Sequence, residues 1–480
     1  MTPVPSLAFL GFTAIVAILC RAGANPEWRR AVFATASIVF LAGFAAVPLA
    51  FVPLAGFLLA GYVCLVLIQC RVRASWAAAA FLLAVIVAFV WLKKYTFVPS
   101  GFLLPFPYLV IGLSYIFFRV LHLLIDAAQD ALPERVGLLD YIGYTLNFCS
   151  LVSGPIQRYQ EYARHNPASP AELDVIVSGT AIERIIVGFF RVDVVSTALS
   201  AAQHQALNAL TPDESFWMRA GLGAAVVALY PLYLYANFSG YTDFVIGAGR
   251  FMGLLLPENF SRPFSSASFI EFWSRWHITL SSWLKTYVYN PLLLTLMRHV
   301  SSPRLEPWLA VAAFFVTFFL VGVWHGQTSE FLFFGVLQGG GVAMNKLYQT
   351  EMTRRLGRKR YRALCEAPPY RMVARGLTFS WFAFTLLWFW SSWGQLSAFA
   401  VILGERACFT GAVVLIAVAA VVLAAIEAAR DYALRWTWSG QSILLSRYTR
   451  TAWGTALAVT SIATIVLMNM KAPDIVYQAF

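Results

Sequence analysis

Long apolar runs, separated by short polar or basic stretches, set the pattern of this chain. Those at 31–52, 76–92, 108–125, 217–236, 306–324, 329–347, 376–393, 408–427 and 452–470 are each near the ~20 residues a helix needs to cross ~30 Å of hydrocarbon. Their lengths predict membrane-spanning helices, and no alternating barrel pattern is present. Residues 4–20 have the length of a signal sequence, but Arg21, Arg29 and Arg30 follow the run and no Lys or Arg precedes it. That order predicts a retained first span entering from outside. The positive-inside bias places the basic loops 21–30, 71–73, 346–375 and 430–450 in the cytoplasm and 93–107, 200–216 and 394–407 outside. Alternation then gives about a dozen crossings with both termini outside. Lys93 and Lys94 break the bias, and snorkelling to the outer headgroups would accommodate them.

Two stretches do not read as plain spans. Residues 139–160, LDYIGYTLNFCSLVSGPIQRYQ, are interrupted by Gly154 and Pro155, and 257–291 is amphipathic between Pro257 and Pro291. Both predict re-entrant or interfacial pieces. Irregular backbone at membrane depth persists only where protein buries it or it lines a wet cavity, so these pieces argue for an internal chamber. Ser268 and Glu271 have capping-box spacing. Trp273, Trp276, Leu280, Leu284 and Tyr287 then repeat at i, i+3/i+4, which predicts one helix over 268–287. His277 falls on its apolar side, away from Arg275 and Lys285. The expected fold class is an all-α polytopic membrane protein, about a dozen transmembrane helices plus re-entrant or interfacial helices. It is read as a single domain over 1–480, because no polar segment is large enough to fold alone.

Composition agrees. The chain is 60% hydrophobic and 12% charged, about half the charged share of a soluble domain. Its net charge of +12 belongs to cytoplasmic loops, not to a nucleic-acid surface; the densest cluster, 354–375, would sit against anionic lipid headgroups. The six cysteines form no CxxC pair and read as small core residues.

Candidate chemistry centres on two histidines. His325 ends the run AVAAFFVTFFLVGVWHG, and His277 lies in EFWSRWHITLSSWLKTYVYNPL. A titratable group within or beside a span marks a functional site by default. Against this, a single histidine on an apolar face is ordinarily a hydrogen-bonded structural residue. Two of them, each beside tryptophan and near a helix break, shift the balance, because neutral imidazole can take a proton from a hydroxyl and return it. In LYANFSGYTDFVIGAGRF, Asn237 and Asp243 read either as a polar chamber wall, with Asp243 paired to a basic residue, or as part of a small-residue packing face. Arg119, His122 and Asp126 share a helix face and read as a structural ion-pair group. No HExxH or similar spacing supports a metal site.

Several segments in order, IGLSYIFFRVLHLLID, NFCSLVSGPIQRYQEY, ANFSGYTDFVIGAGRFMG, LPENFSRPF, EFWSRWHITLSSWLKTYVYNPL and VGVWHGQTSEFLFFGVLQGGG, resemble the membrane-bound O-acyltransferases. The resemblance covers residues 108–347, with a tail match in PDIVYQAF. It is strongest to the alginate O-acetyltransferase and D-alanyl-teichoic-acid transferase branch. It implies helices ringing a central tunnel, in a bacterial cytoplasmic (inner) membrane. The implied reaction moves an acyl group, by expectation acetyl, from a cytoplasmic thioester to a hydroxyl of an outer acceptor such as a polysaccharide. The donor would be an acyl-CoA or an acyl-carrier protein, and a partner acyltransferase outside the membrane is implied. His325 matches the family's catalytic histidine and His277 its second. Trp324, Trp276, Arg275, Asn237, Asp243, Gln157 and Arg158 are the expected lining and support. Ser274 stands where the family motif carries a second basic residue, and Arg119 and His122 stand where neutral polar residues are expected. A transporter or flippase for a lipid-linked glycan is the alternative, since broken helices suit it too, although no internal repeat is visible.

Overall fold

In the computed structural model, the described residues are all but 1–4, 45–46, 71–74, 301, 303–304, 439–440, 443–445 and 469–480. The basic loop 71–73, the tail PDIVYQAF and both chain termini therefore lie outside them. The described chain is helical apart from irregular connections and a short strand pair, Thr437–Trp438 with Gln441–Ser442. Six helices are long and apolar enough to cross a membrane: Pro48–Gln69, Val175–Ala209, Phe216–Phe251, Glu306–His325, Pro368–Trp390 and Trp393–Leu434. Leu7–Ala22 and Trp76–Leu92 are shorter apolar helices. The protein is an integral membrane protein, with six such helices among the described residues.

The differences have local causes. The run 31–52 is no single span: one helix, Pro26–Ala42, ends at Gly43, and a 3-10 turn at Pro48–Phe51 leads into Val52–Gln69. Proline lacks the N–H that would continue the first helix and suits the first turn of the next. The run 217–236 is the opening of the 36-residue helix Phe216–Phe251, which tolerates Pro231 inside it. The run 408–427 belongs to Trp393–Leu434, where Gly404 bends the chain at φ 72. Val175–Ala209 escaped the hydropathy reading because Glu183, Arg184, Arg191 and Asp193 interrupt it.

The chain forms two compact units, one from the residues through Val192 with Asn237–Glu258, the other from Asp193–Ala236 with the residues from Asn259 to Pro473. In the first unit, residues 146–157 follow the helix Leu138–Thr145 as buried, non-helical backbone, the re-entrant character expected of 139–160. Arg119, itself buried, satisfies their carbonyls. Its guanidinium donates to Tyr144 O at 3.3 Å, Thr145 O at 2.9 Å, Ser150 O at 3.0 Å and Ser150 Oγ at 2.7 Å. Lys93 does not snorkel. It is 3% exposed and its ammonium donates to Ser114 Oγ at 2.9 Å, which gives the charge a polar partner inside the protein.

The second unit contains the hairpin of Glu306–His325 and Ser329–Leu356. The hairpin packs backbone to backbone: a Cβ on Gly322 would lie 2.4 Å from the Cα of Gly335. Phe379 and Ala383 of Pro368–Thr385 meet Leu415 and Ala419 of Trp393–Leu434 in a core cluster. None of the six cysteines forms a disulfide; Cys20 and Cys149 are buried as expected of small core residues, but Cys70 and Cys408 are exposed.

Candidate active site

The continuous helix expected over 268–287 does not form. Ser268 caps a helix at Phe269–Trp273, the chain breaks at residues 274–277, and a new helix runs Ile278–Leu284 before a π-helical turn at Lys285–Tyr289. A distant segment overrides the local periodicity. Ser261 N–H donates to Arg275 O, Ile278 N–H donates to Asn259 O, and Phe260 and Trp276 form an antiparallel bridge. Asn259 then acts as a non-local cap, its Oδ1 accepting from Thr279 N at 3.2 Å and Thr279 Oγ1 at 2.8 Å. These bonds satisfy an N–H that a helix start would otherwise leave unmet.

His277 sits at the break in the left-handed region, φ 45 and ψ 53. For a non-glycine residue that conformation costs about 1–3 kcal/mol and tends to occur at functional sites. The ring is buried at 1% exposure, and its Nδ1 lies 3.1 Å from Asn259 Oδ1. A backbone N–H donates to the same Oδ1, so that atom is an acceptor and the imidazole Nδ1 carries the proton. His277 is therefore the Nδ1–H tautomer, with the lone pair on Nε2. Burial lowers its pKa to about 3, which keeps the ring neutral at ordinary pH.

His325 is the last residue of Glu306–His325 and is 3% exposed. Thr328 and Ser329, just beyond, are exposed. Gly326 is required here because the ring of Phe331 lies where a Cβ would be, 1.9 Å away. Around the imidazole stand Trp324 at 4.6 Å between ring centroids, Phe389 at 5.0 Å and Phe334 at 6.0 Å. Trp324 also meets His277, at 6.2 Å. The second unit therefore brings both imidazoles onto one indole.

The remaining expected residues divide. Trp276 is buried but packs into an aromatic block with Phe272, Phe260 and Phe382. Arg275 is committed to Glu271 at 2.7 Å and Ser265 Oγ at 2.9 Å, so it holds the local fold. Asn237, Asp243, Gln157 and Arg158 belong to the first unit. Asn237 is fully buried there. Asp243 has the expected basic partners, Arg184 at 2.8 Å and Arg191. Gln157 is a strut: its side-chain amide donates to Leu255 O at 2.9 Å and its backbone carbonyl accepts from Tyr144 Oη. Arg158 is exposed and pairs with Glu161 at 3.6 Å at the start of the helix Tyr159–Arg164.

Sequence reasoning missed Asn259, Phe334, Phe389 and Gln338. Gln338 is fully buried, accepts from Trp273 Nε1 at 3.3 Å and donates to Thr385 Oγ1 at 2.8 Å. Asn259 lay within the quoted LPENFSRPF; a polar residue in a proline-bounded apolar loop was the signal available. Among the described residues no group of three or more His, Cys, Asp or Glu could hold a metal ion.

The chain is similar to a teichoic acid D-alanyltransferase of Bacillus subtilis, with 31% identity over 47% of this chain and 56% of that protein. It is similar also to a probable alginate O-acetylase of Pseudomonas syringae, 33% over 51% of this chain and 44% of the other, and to one of Pseudomonas fluorescens, 32% over 51% and 46%. It spans about half the length of the curated relatives it matches. The model of the membrane-bound O-acyltransferase family matches residues 85–389, more than half of the chain and all of the histidine site, and the chain belongs to that family.

Proposed function

We propose that the protein transfers an acyl group, with acetyl the first choice, from a cytoplasmic thioester to a hydroxyl of an acceptor on the outer side of a bacterial cytoplasmic membrane, a polysaccharide being the favoured acceptor. The observation that carries this reading is the pair of buried imidazoles sharing Trp324. In the reaction, neutral His325 takes the hydroxyl proton as the oxygen attacks the thioester carbonyl. The C–O bond forms, the tetrahedral intermediate loses its C–S bond, and His325 returns the proton to the leaving thiolate. His277 orients the donor. Its Nδ1–H is held by Asn259 and its ring stands beside Trp324, which fixes its place next to the donor. The aromatic rings around His325 exclude water that would otherwise hydrolyse the thioester.

The donor is an acyl-CoA or an acyl-carrier protein. The names of the relatives, a probable alginate O-acetylase and a teichoic acid D-alanyltransferase, support acyl transfer to a polymer; a partner acyltransferase outside is part of the proposal. Purified protein given labelled acetyl-CoA and a hydroxylated polysaccharide tests the proposal. Labelled ester should form, and His325→Ala should slow its formation about 10²–10⁴-fold, the usual contribution of a positioned base. Glycan movement without thioester consumption would support the flippase reading instead.

A further inference from the structure

The first unit holds a polar hollow of about 400 Å³, at the ends of the apolar helices Leu7–Ala22 and Phe216–Phe251. Arg21, Arg29 and Glu172 line it, and Pro170 and Ala171 form one wall. That wall is fixed against the chain that leaves the second helix. Ala171 N–H donates to Gly253 O at 3.0 Å. Gly253 stands at φ 80, and Pro170 lies 2.2 Å from where a Cβ on it would be. Only glycine allows both the conformation and the close approach. Arg21 and Glu172 are exposed and Arg29 is half-buried, so a ligand can reach all three.

Both guanidiniums are anchored to backbone through only some of their donors. Arg21 reaches Phe251 O with Nε at 3.4 Å and Nη2 at 3.3 Å, which leaves Nη1. Arg29 donates from Nε to Gly23 O at 3.0 Å, which leaves both Nη atoms. Arg30, the next residue, is ion-paired with Asp140 at 3.1 Å. Arg21 and Arg29 have no such carboxylate among the described residues, although Glu172 lines the same hollow. Two cations and one acid that share a hollow without pairing suit a ligand that carries both signs. A guanidinium fork matches a phosphate, and a carboxylate accepts from an ammonium beyond it. At ~30 Å³ for each liquid water, the space equals about a dozen waters, more than a bare phosphate needs. We propose that this hollow binds phosphoethanolamine, with its phosphate on Arg21 and Arg29 and its ammonium on Glu172. Hydrocarbon gives way to headgroups at the ends of apolar helices, so membrane phosphatidylethanolamine is one source of that group and soluble glycerophosphoethanolamine is the other. The inference does not rest on the acyl-transfer reading.

Native mass spectrometry of the full-length protein in a neutral detergent tests it. The probes are dihexanoyl phosphatidylethanolamine, glycerophosphoethanolamine, dihexanoyl phosphatidic acid and dihexanoylglycerol. The wild type should bind one phosphatidylethanolamine and no dihexanoylglycerol. Binding of glycerophosphoethanolamine as well supports the soluble source, and binding of the lipid alone supports the membrane source. Arg29→Gln should lower the affinity about tenfold, the loss of one charge-assisted bond. Glu172→Gln should weaken phosphatidylethanolamine binding and strengthen that of phosphatidic acid, which has no ammonium. Arg164→Gln, at an exposed position of the same unit outside the lining, should bind like the wild type. Melting curves confirm that each variant is folded; should Arg29→Gln misfold, Arg21→Gln takes its place. The proposal is overturned if the wild type binds neither ethanolamine probe or binds dihexanoylglycerol equally well. Equal losses in Arg29→Gln and Arg164→Gln, or unchanged phosphatidylethanolamine binding in Glu172→Gln, would overturn it too.

Discussion

His122 in the first unit and His277 in the second are both buried, and each packs against a stretch of irregular chain, yet the fold treats them differently. His122 places Nδ1 3.3 Å from Asp126 Oδ2, and its Nε2 accepts the N–H of Tyr159 at 2.8 Å. Both nitrogens hold the fold together, beside the guanidinium strut of Arg119. His277 gives Nδ1 to Asn259, and its ring meets the indole it shares with His325. In the proposed function His277 belongs to the chemistry, whereas His122, with backbone and carboxylate on its two nitrogens, belongs to the architecture.

The comparison can be broken from the structural side first. Arg119→Met would leave the carbonyls of Tyr144, Thr145 and Ser150 without their shared donor. At ~1–3 kcal/mol for each unmet buried group, destabilisation of roughly 3 kcal/mol or more is expected in melting measurements. Activity should fall only with the folded fraction. Asn259→Leu should cost about 1–3 kcal/mol through the lost cap at Thr279. It should also slow acyl transfer beyond its effect on folding, because the His277 tautomer is no longer fixed. Asn259→Asp keeps the acceptor and should restore stability; equal stability and turnover in Asn259→Leu and wild type would remove Asn259 from the site.

The last effect concerns pH. His277 titrates near its ordinary value of about 6.5 when unfolded and at about 3 when folded. The unfolded chain therefore binds the proton first, and stability declines as pH falls below about 6.5 towards 3, at up to ~1.4 kcal/mol per pH unit. His277→Gln should flatten that part of the stability curve between pH 6 and 4. An unchanged slope would mean that the ring is charged or exposed.

What was legible in the sequence follows the range of the forces involved. The burial of His277 could be read from its place on an apolar face, and the re-entrant character of 139–160 from Gly154 and Pro155. The break at His277 could not, because the cap that causes it comes from Asn259, 18 residues upstream. Likewise the pocket around His325 is completed by Phe389, more than sixty residues away, and no local period reports such a contact. Arg119 stood out in sequence as part of an ion-pair group and as a departure from the family pattern; its partners are instead the carbonyls of Tyr144, Thr145 and Ser150. The helix Val175–Ala209 was lost to hydropathy because charges interrupt it, and hydropathy does not report that Arg184 and Arg191 pair with Asp243 within the first unit.

The most direct test sets the two histidine regions against each other in one assay. Melting temperature and acetyl transfer from labelled acetyl-CoA are measured for wild type, His325→Ala and His122→Ala. The account predicts that His325→Ala melts close to wild type and loses about 10²–10⁴ in turnover, while His122→Ala melts lower and keeps its turnover per folded molecule. Full turnover in His325→Ala, or a turnover loss confined to His122→Ala at unchanged stability, would contradict it.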